Sequence, residues 1–88
     1  MACTVRIPSP LRSYTRGAAS VQSQGATVAE VLADLDSRFP GMRFRMIDEQ
    51  NRIRRHIRIF VNTRQAECLS ATVQGQDELH FICALSGG

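Results

Sequence analysis

Residues 25–41 read GATVAEVLADLDSRFPG, and this stretch decides the fold. Thr27 and Glu30 form a capping-box pattern that predicts the start of a helix. Pro40 and Gly41 predict its end, because proline disfavours helical backbone in the residue before it and glycine permits a turn away. The large apolar residues between these signals share one helix face; they are Val28, Val31, Leu32, Leu35 and Phe39.

Alternating patterns before this helix predict two strands. Cys3, Val5 and Ile7 alternate with polar residues, which is typical of a half-buried strand with these three side chains facing the core. After a loop over residues 9–17, residues 18–23 predict a weaker second strand with Ala19 and Val21 inward.

Three further strand patterns follow the helix. Residues 56–62 read HIRIFVN, the strongest alternation in the chain, with Ile57, Ile59 and Val61 inward. A short edge strand is predicted within residues 64–69, and a last strand over residues 78–85 after a turn at residues 74–77. Residues 42–55 are rich in Arg and lack a clear period, so we interpret them as an excursion with one short helical turn near residues 46–50.

The order strand, strand, helix, strand, short strand, strand predicts a domain of the α+β class. With the first and last strands central in a mixed sheet of four to five strands, and one main helix packed on one face, this is the β-grasp or ubiquitin-like arrangement. We expect a single domain over residues 1–85, followed by the flexible tail Ser86-Gly87-Gly88.

The composition is typical of an ordinary soluble domain. The chain has 88 residues, of which 43% are hydrophobic and 22% charged, and no continuous apolar run suggests a signal peptide or membrane span. We therefore expect a cytoplasmic protein. Cys3, Cys68 and Cys83 are far apart and form no CxxC pair, so we predict no disulfide framework, no metal site and no bound cofactor.

The basic residues are all arginine. The chain has 11 of them and no lysine, so its primary amine is the N-terminal one. A ubiquitin-like chain without lysine cannot form side-chain polymers with copies of itself.

Several segments together carry a resemblance to a known family. They are LR at residues 11–12, GAT at 25–27, IFVN at 59–62, GQDE at 75–78 and the terminal GG at 87–88. With these segments in this order, the chain resembles the ThiS/MoaD-type sulfur carriers, ubiquitin-like proteins that deliver sulfur in biosynthesis. Residues 20–27 and 59–62, and the excursion over 42–55, are most similar to the carrier of a cysteine-forming pathway.

The resemblance implies a protein co-substrate and not an enzyme. In this family an E1-like enzyme consumes ATP to adenylate the terminal carboxylate, here that of Gly88, and a sulfur donor then leaves a thiocarboxylate there. A downstream synthase accepts the sulfur to make cysteine or another sulfur-containing metabolite or cofactor. A metalloprotease that processes the C-terminus is a further candidate partner. Gly87 and Gly88 lack a Cβ, which lets the tail, including Ser86, thread a narrow channel.

Four residues predict a surface for docking a partner. Phe60 and Ile82 lie out of phase with the inward residues of their strands, so we expect them on the outer side of the sheet near Arg58 and His80. Exposed apolar residues rimmed by charge are typical of a protein-docking patch. The alternative is that the excursion over residues 42–55 folds over them.

Other functions remain open from the sequence. A protein modifier conjugated through Gly88 to lysines of other proteins would begin with the same chemistry. An RNA-binding module built on the Arg-rich middle is less favoured, because Asp48 and Glu49 interrupt the run and no paired aromatics accompany it. Catalysis is not predicted, because His56 and His80 have no evident nucleophile beside them. We expect a monomer when the carrier is free.

Overall fold

The computed structural model describes residues 2–83, and the predicted tail residues Ser86, Gly87 and Gly88 lie outside that range. The described residues form a five-stranded sheet with one main helix packed on one face. In chain order the elements are β1 (Ala2–Arg6), a short 3₁₀ helix (Ser9–Leu11), β2 (Ser20–Gln24), α1 (Val28–Arg38), α2 (Met42–Met46), β3 (Ile57–Val61), β4 (Arg64–Ala66) and β5 (Glu78–Cys83).

The strand order is β2-β1-β5-β3-β4, which places β5 in the centre of the sheet. β1 and β5 run parallel, with Val5 beside Leu79, and the other neighbours are antiparallel. A parallel pair requires a crossover, and here the chain between β1 and β5 supplies it with β2, both helices, β3 and β4. The predicted β-grasp arrangement, with the first and last strands adjacent in the centre, is confirmed.

The core lies between the sheet and the two helices. Cys3, Val5 and Ile7 are buried as the alternation predicts, and the apolar stripe of α1 covers them. The fully buried residues of α1 are Val28, Val31, Leu32 and Leu35, whereas Phe39 is half-buried at the helix end. One shared core therefore joins both layers.

The start of α1 follows the capping-box prediction with one change. The Thr27 hydroxyl accepts a hydrogen bond from the Glu30 amide (3.2 Å), as predicted. The Glu30 carboxylate accepts from the amide of Ala26 (2.8 Å), one residue earlier than expected. Gly25 packs tightly here, because a Cβ built on it would lie 2.7 Å from the Val31 nitrogen. These contacts hold the helix against the end of β2.

The prediction that Ala19 faces the core is wrong. β2 begins one residue later, at Ser20, and Ala19 is exposed while its carbonyl accepts from the Ile7 amide (2.8 Å). The inward face of β2 instead carries Val21 and the buried Ser23. A buried hydroxyl needs a partner, and Ser23 donates to Asp34 of α1 (2.7 Å).

The predicted helical turn near residues 46–50 is also misplaced. The helix is α2, which starts immediately after Gly41, whose φ of +94° turns the chain. Residues 48–52 form a loop in which the Asp48 carboxylate accepts from the amides of Gln50 (2.8 Å) and Arg52 (3.0 Å). The excursion contributes three fully buried residues to the core, Met42, Met46 and Ile47.

Candidate functional site

The described part of the chain ends three residues before the predicted tail. β5 ends at Cys83, and Ile82 and Cys83 form what we call the tail root. Because β5 is the central strand, the tail root is held by its neighbour: Ile57 of β3 is the cross-strand partner of Cys83. The roles of Gly88, Gly87 and Ser86 stay predictions, because these residues lie outside the described range.

The structure brings the four predicted docking residues together on the outer face of the sheet. Arg58 pairs across the strands with Ile82, and Phe60 pairs with His80. Paired residues of adjacent strands point to the same side, so these four form one patch, which we call the outer-face patch. Ile82 is 47% exposed, Arg58 is exposed, and Phe60 and His80 are half-buried.

The excursion over residues 42–55 does not cover Ile82. Its helix α2 packs against α1, and Met42, Met46 and Ile47 enter the core on the opposite side of the sheet from the patch. Ile82 keeps its 47% exposure. An exposed isoleucine beside an arginine and a histidine is therefore available to a partner.

Glu78 provides the negative charge at the edge of this patch. Its carboxylate accepts from Arg6 of β1 (3.2 Å), and the Nε2 of His80 lies 2.8 Å from its other oxygen. The hydrogen bond from Arg6 is the main reason that the pKa of Glu78 is lowered, and the charges of Arg6 and His80 add to it. Glu78 is thus held ionised between two nitrogen donors.

Arg58 is positioned by the backbone at the start of β3. Its Nη1 donates to the carbonyl oxygens of Arg55 (2.7 Å) and Ile57 (3.1 Å). A guanidinium has further donors in its planar fork, so this anchoring leaves others free for a partner carboxylate.

The three thiols differ in their surroundings. Burial raises the pKa of Cys3 and of Cys83, although the charge of Arg45 acts in the opposite direction on Cys83. Cys68 is exposed, and its pKa is lowered mainly by a hydrogen bond with the Ser70 hydroxyl.

Within residues 2–83, no three His, Cys, Asp or Glu side chains are grouped to hold a metal ion. Nor does any helix there have the length and apolarity to cross a membrane.

Sequence reasoning missed two exposed residues of α2, Phe44 and Arg45. Phe44 is 55% exposed, and the guanidinium of Arg54 lies 4.6 Å from its ring centroid. The sequence signal for them is a phenylalanine between two arginines in MRFRM. It predicts an exposed side chain only when the bounds of α2 are known.

Comparisons with known proteins agree with the geometry. The sequence model described as the ThiS family matches residues 5–88. The sulfur carrier protein CysO of Mycobacterium tuberculosis (strain H37Rv) is 31% identical over 93 aligned positions that cover 100% of both chains.

Two solved structures share the fold. A chain in the crystal structure of the Amycolatopsis orientalis BexX/CysO complex is 37% identical, with a TM-score of 0.90 over 98% of this chain and 99% of that one. SAMP1 from Haloferax volcanii has a TM-score of 0.83 over 100% of both chains at 23% identity, which is a likeness of fold alone.

We predict that the carboxyl of Glu78 titrates at lower pH than an ordinary glutamate, because Arg6 and His80 favour its charged form. A ¹³C NMR titration of the side-chain carboxyl measures this. Arg6→Gln should raise the pKa of Glu78, whereas Arg16→Gln, at an exposed arginine elsewhere, should leave it unchanged. A midpoint that Arg6→Gln does not move would contradict the Arg6–Glu78 pair.

Proposed function

The chain belongs to the ThiS family, and we propose that it is a sulfur carrier that holds sulfur as a thiocarboxylate at Gly88. Members of this family are small carrier proteins and not catalysts, so the chemistry is performed on this chain by others. The observation that carries the proposal is the full-length similarity to CysO, with a family match that extends through Gly88.

The first step activates a carboxylate that is otherwise a poor acylating group. A carboxylate oxygen of Gly88 attacks the α-phosphorus of ATP in the E1-like enzyme, pyrophosphate leaves, and an acyl adenylate forms. A sulfur donor then attacks the carbonyl carbon and AMP departs with the bonding electron pair. The resulting thiocarboxylate is a nucleophilic sulfur on a protein, so it reaches the downstream synthase without release as free sulfide.

The glycines suit this reaction for a steric reason. A residue without Cβ tolerates close backbone approach on both sides, so Gly87 and Gly88 can enter a narrow channel. From Cys83, the five residues 84–88 span at most about 18 Å when extended. That length reaches into a partner's site while the β-grasp body stays outside.

The outer-face patch is the proposed contact for the adenylating enzyme. Ile82 is the apolar centre of this contact because it is exposed and directly precedes the last described residue. Phe60, Arg58 and His80 surround it through the β3–β5 pairing. A CysO chain with 37% identity has been solved in complex with a second protein, BexX, which supports a carrier that works by docking.

Further partners and the compartment complete the proposal. A sulfur-accepting synthase receives the thiocarboxylate, and a metalloprotease that processes the C-terminus is a third candidate. We propose that adenylation and sulfur transfer take place in the cytoplasm, where ATP is supplied and thiols stay reduced. The free cysteines Cys3, Cys68 and Cys83 are in keeping with this compartment. The chain itself binds no cofactor in this scheme, and ATP is consumed on the partner.

We predict that this protein stimulates ATP–pyrophosphate exchange by the E1-like enzyme of the same genome. Deleting Gly87 and Gly88 should reduce the exchange to background, because the shortened tail no longer brings its carboxylate to the α-phosphate. Cys68→Ala, at an exposed thiol, is the matched control and should retain full activity. Exchange that survives the deletion would refute adenylation at Gly88, and a covalent product with the mass of a second protein would favour the modifier function.

A further inference from the structure

Two large apolar side chains of residues 2–83 are exposed: Ile82 in the tail root and Phe44 in α2. Ile82 belongs to the outer-face patch, whereas Cys83 points to the other face because side chains alternate along a strand. The Arg54 amide donates to the Met46 carbonyl at the end of α2 (2.9 Å), and the Arg54 carbonyl accepts from the amide of Ile57, the cross-strand partner of Cys83 (3.0 Å). Helix α2, which carries Phe44 and Arg45, therefore ends near the tail root. Phe44 is 55% exposed. Ile82 and Phe44 thus expose apolar surface on two elements at this end of the molecule.

Arg54 adds a second positive charge beside α2. Its guanidinium lies 4.6 Å from the centroid of the Phe44 ring, and its Nε donates to the Phe44 carbonyl (2.8 Å). Stacking on an aromatic ring fixes a guanidinium and keeps its charge. Phe44 and Arg54 thus form a preorganised pair, and Arg45 follows Phe44 in the same helix.

Arg55 and Arg58 continue the positive charge to the outer face. Arg55 precedes by two residues Ile57, the cross-strand partner of Cys83. Arg58 is the cross-strand partner of Ile82 and is fixed by its bond to the Arg55 carbonyl (2.7 Å). We call the whole set the tail-side surface; it consists of Phe44, Arg45, Arg54, Arg55, Arg58 and Ile82.

The charge of this surface is not neutralised within the described chain. Among residues 2–83, no carboxylate lies within 4 Å of the nitrogens of its four arginines. Asp48 feels the charge of Arg54, but its carboxylate is held by the backbone of Gln50 and Arg52. The formal net charge is +3 and these arginines contribute four positive charges, so the rest of the chain is net negative by one. Four of the 11 arginines therefore lie on this surface without a carboxylate within 4 Å among residues 2–83.

We propose that the tail-side surface docks onto an acidic rim, with apolar contacts at its centre, around the active-site opening of the adenylating enzyme. The proposal rests on the function proposed above and extends the contact from one face of the sheet around the tail root to α2. Opposite charge steers association and orients the two surfaces, so the tail meets the opening already aligned. RNA fits less well, because Arg54 already stacks on Phe44, the one exposed aromatic ring among the described residues.

Two charge reversals of equal size test this surface. Arg45→Glu changes it directly, and Arg64→Glu makes the same change at an exposed arginine on the edge strand β4. In ATP–pyrophosphate exchange at low salt, Arg45→Glu should raise the KM for the carrier about tenfold or more with kcat unchanged, because docking and not chemistry is weakened. Arg64→Glu should stay within about twofold of wild type, and added salt should raise the wild-type KM.

Four outcomes would overturn the docking proposal. Equal KM values for Arg45→Glu and wild type would show that Arg45 is not part of the contact. Equal increases in KM for both reversals would show that only the net charge of the protein matters. Binding of a fluorescent 20-nucleotide RNA that only Arg45→Glu abolishes, together with an unchanged KM, would assign the surface to nucleic acid. If wild-type protein supports no exchange at all, the proposed function fails and this proposal fails with it.

A different observation, the lack of lysine, carries a second inference. All 11 basic residues are arginine, and the N-terminal end of β1 lies far from the tail root. The Ala2 carbonyl accepts from the Gln76 amide (2.9 Å), just before the start of β5. Cys83 is seven residues further along, roughly 23 Å away, whereas residues 84–88 span at most about 18 Å. An extended tail therefore falls short of Ala2.

The charges that do surround the tail root are chemically inert. A guanidinium stays protonated and does not act as a nucleophile at neutral pH, whereas a lysine amine attacks activated carbonyls. Cys83 is the thiol of the tail root; it is half-buried, and burial raises its pKa. The arginines near the tail root therefore add positive charge without adding an amine nucleophile.

We infer that this arrangement protects the activated Gly88 carboxyl from capture by its own chain. In the reaction that is avoided, an amine nitrogen bonds to the carbonyl carbon, the bond to AMP breaks, and AMP leaves with the electron pair while the amine loses a proton. The product would be an internal isopeptide that can no longer accept sulfur. Because the sequence has no lysine side chain to attack it, the acyl adenylate persists until the sulfur donor attacks it.

An enzyme-free experiment separates this inference from the proposed function. The full chain is prepared with a thioester at Gly88 by intein cleavage, as wild type, as Arg45→Lys and as Gln24→Lys. Gln24 is the matched control because it pairs with Ala2 at the far end of the sheet and is exposed. Intact mass is followed over time at pH 8, and hydroxylamine then removes any remaining thioester.

Arg45→Lys should accumulate a hydroxylamine-resistant product about 18 Da lighter than the hydrolysed acid, because a water equivalent is lost when the isopeptide forms. Wild type and Gln24→Lys should give only the hydrolysed acid and, from the remaining thioester, the hydroxamate. Hydrolysis without capture in Arg45→Lys, or capture in wild type, would overturn the inference whatever the outcome of the adenylation assay.

Discussion

The parallel pairing of β1 with β5 is the constraint on which the rest of the structure depends. Arg6 lies beside His80 in this pair, so the first and last described strands share the centre of the sheet and point the same way. The N-terminal end is thereby fixed at one edge of the molecule and the tail root at the opposite edge. Every proposed role of this chain uses that separation, because the tail must project toward a partner while the body stays behind.

Because side chains alternate along each strand, the two faces of the sheet carry different sets of residues. The inner face buries Ile57, Ile59, Leu79 and Phe81 against the helices and stabilises the fold. On the outer face, no helix among residues 2–83 covers Ile82, and this is the face that we propose for docking. Helix α2, which packs on the inner side of the sheet, adds Arg45 and the exposed ring of Phe44 at the same end of the molecule as the tail root.

How much the sequence predicts depends on how far a pattern extends. Helix α1, the inward faces of β1, β3 and β5 and the outer-face patch follow from periodicity alone. Helix α2 does not, because a five-residue helix is too short to display a period, and Ala19 was misassigned because the start of β2 depends on its pairing with β1. The end of α2 is tied to the start of β3 by the bond from the Arg54 amide to the Met46 carbonyl (2.9 Å), and no local pattern encodes that pairing. The chemistry of Gly88 comes from family resemblance.

The central claim is that Gly88 ends as a thiocarboxylate, and intact mass tests it most directly. The protein is incubated with ATP, a sulfide source and the E1-like enzyme of the same genome, and its mass is compared before and after. A carrier gains about 16 Da, the difference between sulfur and oxygen, and loses that gain when Gly88 is deleted. An unchanged mass, with the same enzyme active on another carrier, would contradict the account.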